Sequence, residues 1–232
     1  MRLHIRTLAT LPSRSVYTGG SGAVPLLLFF VWINSSPAQS PLPAVDGVGP
    51  HALRLQCREL LDTLTKMKMT LPAQTERQLR ELIKDEKNVS DESAGKIQKL
   101  LNDQCLIGVS INPESRVKAA RGPRPAELVA GKESVVLVRV LNEAGVTHAL
   151  SLEGPQIIGP KENAKERWLH ATVYPEHSSS QKLSGQKMEY VLLRLKAEKA
   201  GKREATLVFD VGQGTQDLGF RAEVPILFTI SP

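Results

Sequence analysis

Cysteine and aromatic side chains are the scarce ones in this 232-residue chain. There are two cysteines, two tryptophans, three tyrosines and five phenylalanines, and aromatics make up 4% of the sequence. Two cysteines cannot form a multi-disulfide scaffold, and without a nearby histidine pair they cannot supply the four ligands of a structural zinc site. A core built with so few rings must rest on Val, Leu and Ile. Long hydrophobic runs are also short in supply. The apolar stretch Ala23-Val-Pro-Leu-Leu-Leu-Phe-Phe-Val-Trp32 is about half of the ~20 residues that a membrane-spanning helix needs.

The reactive constellations of common enzymes are missing too. No Gly-x-Ser-x-Gly elbow and no phosphate-binding Walker loop occur. The histidines are His4, His51, His148, His170 and His177, with no two at metal-pair spacing. Carboxylates are plentiful, but nothing in their spacing singles out an acid/base pair. No catalytic residue, metal ligand or cofactor is therefore expected.

What is present is ordinary globular material, 41% hydrophobic and 23% charged, enough to offset chain entropy. The formal charge of +6 overstates the field of the folded part. Residues 1–38 hold Arg2, Arg6 and Arg14 and no acid. Setting those three aside leaves 27 basic against 24 acidic residues, interleaved. That excludes a nucleic-acid partner as the reading of the charge.

The arginines, the apolar run and the small-residue exit Ser36-Pro-Ala38 are the parts of a secretory signal. Residues 1–38 are expected to be a signal peptide, with the mature chain starting near Gln39 and localisation secreted or periplasmic. An uncleaved membrane anchor and a misplaced start codon stay open. Residues 39–50, rich in Pro and Gly, read as a flexible linker.

Residues 51–104 read as a three-helix segment. Leu53, Cys57, Leu60, Leu61, Leu64 and Met67 form one helical face. Pro72 suits the first turn of a second helix, and Ser90 caps a third whose first turn holds Asp91 and Glu92. From Cys105 the period changes to two. Strands are expected at 107–111, 134–141, 147–153, 167–174, 187–197, 203–211 and 220–230. Pro225 argues for an edge or a bulge in the last. The fold class is mainly β, an antiparallel, immunoglobulin-like β-sandwich over 105–232 preceded by the helices.

Two candidate features remain. Export would permit a disulfide between Cys57 and Cys105, worth roughly 4 kcal/mol by loop closure, with two buried free thiols as the alternative. The glycine-rich stretch 211–219 is a candidate contact loop through Gly212, Gln213, Gly214, Gln216 and Asp217. Such a loop could meet an anion or a cation, or could simply join two strands. The basic run Arg116–Pro125 reads as a charged edge strand or as a contact for an acidic polysaccharide.

Several words of the sequence carry a resemblance: Ile111-Asn-Pro-Glu-Ser-Arg-Val-Lys118, Arg121-Gly-Pro123, Asn142-Glu-Ala-Gly-Val-Thr147, Arg167-Trp-Leu169 and Phe209-Asp-Val-Gly-Gln-Gly-Thr-Gln-Asp-Leu-Gly-Phe-Arg221. Over about residues 105–232 the chain resembles the non-catalytic N-terminal region of secreted planctomycete metallohydrolases of the PHP type. The resemblance implies an accessory module, and it carries over no catalytic residue, because the histidine-rich motifs of the catalytic domain have no counterpart here. The expectation is an exported non-catalytic accessory or binding module. Its partner is unknown, with a hydrolase domain or an envelope or polysaccharide ligand as candidates. The alternatives are a fragment of a secreted metal-dependent hydrolase and a membrane-tethered envelope structural protein.

Overall fold

The computed structural model describes residues 40–84, 86, 89–158, 167–174, 180–212 and 218–232. The expected signal peptide, His177 and four residues of the candidate loop lie outside them. No described helix is long and apolar enough to cross a membrane.

Three helices come first: α1 (Pro50–Lys66), α2 (Ala73–Lys84) and α3 (Asp91–Asn102). Pro50 sits in the first turn of α1, where its missing N–H costs nothing. Ser90 caps α3 as its sequence suggests. Its hydroxyl accepts from the Ser93 N–H while the Ser93 hydroxyl accepts from the Ser90 N–H, a reciprocal box built with serine in place of the usual glutamate.

Ten strands follow among the described residues: β1 (Cys105–Ile111), β2 (Val117–Arg121), β3 (Glu127–Val129), β4 (Glu133–Asn142), β5 (Ala149–Glu153), β6 (Leu169–Val173), β7 (Ser180–Lys182), β8 (Met188–Ala197), β9 (Gly201–Asp210) and β10 (Arg221–Ser231). They form two five-stranded sheets, ordered β2-β1-β4-β8-β6 and β3-β10-β9-β5-β7. The result is a β-sandwich of immunoglobulin-like type. Two pairs run parallel, β1 with β4 and β3 with β10, and the rest are antiparallel.

The sandwich interior is aliphatic, as the composition demands. Val136, Val138 and Val140 of β4 face Leu207 and Phe209 of β9 and Ile226 and Phe228 of β10 in one buried cluster. The alternation in β10 is complete, with Val224, Ile226, Phe228 and Ile230 buried and the residues between them exposed. Pro225 lies opposite Thr206 in an unbroken register. The Thr206 N–H points away from β10, to Gln156, so this pair makes no ladder bonds. Pro225 therefore turns its missing N–H outward, where β3, which meets β10 only at Thr229–Ser231, does not reach.

A second cluster explains why β4 shows no alternation. Val135 and Leu137, with Met188, Tyr190 and Leu192 of β8, point to the other face and pack under Leu53, Leu61, Leu79, Ile97 and Leu101 of the helices. Both faces of the first sheet are buried, one by the second sheet and one by the helical layer. Among the described residues no layer covers the outer face of the second sheet, and it carries charge pairs such as Arg221 with Glu153 at 3.6 Å.

Gly122, just past β2, ties the edge of the first sheet. Its N–H donates to the Leu106 carbonyl at 2.8 Å, and a Cβ there would run into the Cys105 carbonyl oxygen. Because the obstacle is backbone, Gly122→Ala is expected to cost about 2–3 kcal/mol in urea unfolding. A loss below about 0.5 kcal/mol would show that the edge gives way freely.

Candidate functional site

The disulfide is corrected by the structure. Cys57 and Cys105 are both free thiols, and both are fully buried. Cys57 belongs to the apolar face of α1 and Cys105 opens β1. The Cys105 thiol donates instead to the Leu101 carbonyl of α3 at 3.3 Å. Burial pushes each thiol up to about 12. Counting cysteines showed that only one intramolecular pair was available, but gave no Cα separation.

The candidate contact loop is described only at its base. Gly212 is there, and Gln213, Gly214, Gln216 and Asp217 lie outside the described residues. The Gly212 N–H donates to Asp210 Oδ1 at 2.5 Å. Asp210 also faces Arg221 at 3.5 Å, and the Arg116 guanidinium lies 6.0 Å over the Phe220 ring. Asp210 and Arg221 are thus paired with each other, and Arg116 rests on the aromatic ring. His170 pairs with Glu198 at 2.9 Å on the surface. Among the described residues no group of three or more His, Cys, Asp or Glu side chains is placed to hold a metal ion.

The segment expected as a flexible linker is instead seated in a groove, and the reason is hydrogen bonding that composition does not reveal. Residues 40–48 form a strap across the outer face of the first sheet. The strap starts at the open edge of β2, where the Ser40 N–H meets the Arg121 carbonyl at 3.4 Å. It passes over Gly108 of β1, where the missing side chain leaves room for Leu42. A Cβ at Gly108 would come within 2.7 Å of Leu42 Cδ2. It then crosses β4 and reaches α3.

Four side chains read the strap's backbone, three of them buried. Gln98 of α3 takes both polar groups of one residue: its Oε1 accepts from the Val45 N–H at 2.7 Å and its Nε2 donates to the Val45 carbonyl at 3.0 Å. That is the pairing a neighbouring strand would give. Asn102, one turn on, donates through Nδ2 to the Leu42 carbonyl at 3.0 Å and to the Pro43 carbonyl at 3.4 Å. Its orientation is fixed from below, because the Tyr190 hydroxyl donates to Asn102 Oδ1 at 2.8 Å. Arg139 of β4 donates to the Pro43 carbonyl at 2.6 Å. Lys187 then holds the Asp46 carbonyl at 2.7 Å, Gly47 turns the chain at φ +67°, and Val48 is buried ahead of α1.

Gln98 and Asn102 are 2% exposed and Arg139 is 5% exposed. Sequence reasoning missed all three. A signal did exist, since Gln98 and Asn102 sit at i and i+4 beside the apolar stripe of α3. Arg139 likewise interrupts the apolar run Val135-Val-Leu-Val-Arg-Val-Leu141. A polar side chain inside an apolar period calls for a partner.

A second concavity of about 610 Å³ lies between α2 and α3, with Leu82 and Leu100 on its floor and Glu81, Lys96 and Lys99 on its rim. Its charges are of both signs.

No family model matches the chain, and no curated protein matches it. Nine chains of solved structure match it. One, the ASH / PapD-like domain of human CEP192 (PapD-like domain 7), is similar at 10% identity and a TM-score of 0.29, over 47% of this chain and 81% of its own length.

Proposed function

We propose that the chain is an exported, non-catalytic binding module whose groove between α3 and the outer face of β1 and β4 takes an extended polypeptide segment. Export rests on the signal-like parts of residues 1–38. The observation that carries the binding reading is the set of contacts to residues 42–45. Gln98, Asn102 and Arg139 bond only main-chain atoms of that segment, so they would recognise any extended chain of suitable shape. Selection by side chain falls to the space over Gly108. The chain's own strap fills the groove in cis, at an effective concentration on the order of millimolar.

The test compares the full chain with a variant whose strap is loosened, Leu42→Gly. A fluorescent peptide of residues Ser40-Pro-Leu-Pro-Ala-Val-Asp-Gly-Val48 is titrated against each. The variant is expected to bind at least about tenfold more tightly than the unaltered chain, because the cis competitor is weakened. Adding Asn102→Ala should remove that binding. A variant that melts cooperatively yet ignores the peptide would sink the reading. So would loss of cooperative melting in both Leu42→Gly and the milder Val48→Ala, which would make the strap part of the core.

A further inference from the structure

Arg139 is more than a clamp for one carbonyl. It is 5% exposed, its Nε has no hydrogen-bond partner, and its one described acceptor is the uncharged Pro43 carbonyl. Among the described residues no carboxylate lies within ion-pair distance of it. The two ionisable groups that act on it bring no charge either. The Cys105 thiol and the Tyr190 hydroxyl both have their ionisation pushed up by burial, so both stay neutral. A guanidinium buried without a counter-ion is a costly arrangement, and burial also lowers its own proton affinity. The strap fills the groove but leaves this charge uncompensated.

The position that would compensate it is identifiable. Gly108 and Arg139 are side-by-side partners in the β1–β4 pairing, and both face the strap. The strap side chain over Gly108 is Leu42. Leu42 packs there against the apolar cluster, and Arg139 holds the carbonyl of the next strap residue, Pro43, so the longer side chain of a glutamate at that position could reach back to the guanidinium.

We propose that the groove is built for an acidic extended peptide, one with a glutamate where the strap has Leu42, and that the chain's own strap is a neutral plug in that site. This rests on the peptide-binding reading above and adds the chemical class of the ligand. The occupant's backbone would be read by Gln98 and Asn102, and its carboxylate by Arg139 through charge-assisted hydrogen bonds.

The experiment uses the full-length chain with Leu42→Gly and three probes. They are the peptide of residues 40–48, the same peptide with Leu42→Glu, and the same with Leu42→Gln, which matches the glutamate in shape without its charge. The glutamate peptide is expected to bind at least about tenfold more tightly than the glutamine peptide at pH 7. The advantage should persist at 0.5 M salt, because the pair is buried. Adding Arg139→Met should make the two equal. A cis arm needs no peptide: in the otherwise unaltered chain, Leu42→Glu should melt higher than Leu42→Gln, and the order should disappear with Arg139→Met. Equal affinities for the glutamate and glutamine peptides would overturn the acidic-ligand proposal while leaving the peptide-binding reading in place. Binding by none of the three would overturn both. A glutamate advantage that survives Arg139→Met would also overturn the proposal, because the charge would then be met elsewhere.

Discussion

Phe228→Ala is expected to lower the unfolding free energy by about 3–5 kcal/mol, seen as a fall in the urea midpoint at constant slope. Phe228 is 0% exposed at the centre of β10, and its ring meets Trp168 edge-on at 5.9 Å and 77°. The removed ring would leave a cavity walled by branched aliphatics held in two sheets, which cannot collapse far. The adjacent Leu227 supplies the control. It points to the outer face and is 42% exposed, so Leu227→Ala should stay within about 0.5 kcal/mol. Similar losses at both positions would contradict the alternation of β10.

The two thiols give the other large effect. Raising a thiol from 9.0 to about 12 lowers its thiolate fraction at pH 8 by about a thousandfold, before steric exclusion is counted. Native protein is expected to show no labelling by a thiol reagent on a scale where denatured protein reacts completely with two equivalents. The same shift has a stability consequence. Between the unfolded value and about 12 the native state holds protons that the unfolded state has lost, so unfolding gains on folding as pH rises. The contribution of each cysteine is fully present below pH 9 and declines by about 1.4 kcal/mol per pH unit above it. A Cys57→Ala, Cys105→Ala double variant should therefore show a flatter stability profile between pH 9 and pH 10.5 than the parent. Rapid native labelling of either residue would contradict the buried placement.

Much of the fold was legible because the signals were local. The period of 3.6 from Leu53 to Met67, the Ser90 cap and the alternation from Phe220 to Ile230 each read directly as the element that forms. The strands that escaped, β3 and β7, are three residues long each, too short for a period to show, whereas the basic run read as a charged edge strand does hold β2 at the edge of its sheet. The parallel β1–β4 pairing was beyond reach for a different reason, since strand partners are chosen by contacts distant in sequence. The candidate site was the least legible part. Pro and Gly in residues 39–50 speak of a chain outside helix and strand, which holds for residues 40–49, while Pro50 already opens α1. They are silent on where the carbonyls of Leu42, Pro43 and Val45 find donors, which is fixed by Gln98, Asn102 and Arg139, more than 50 residues away.

The place of β10 sets an order on synthesis. It is the last strand in chain order, yet it lies inside its sheet between β3 and β9 and supplies four residues to the sandwich interior. Until residues 221–231 have joined the sheet, β9 has a bare edge, and Ala205, Leu207 and Phe209 have nothing across from them on that side. The nascent domain therefore passes through a stage with a complete helical layer and an open, adhesive sheet.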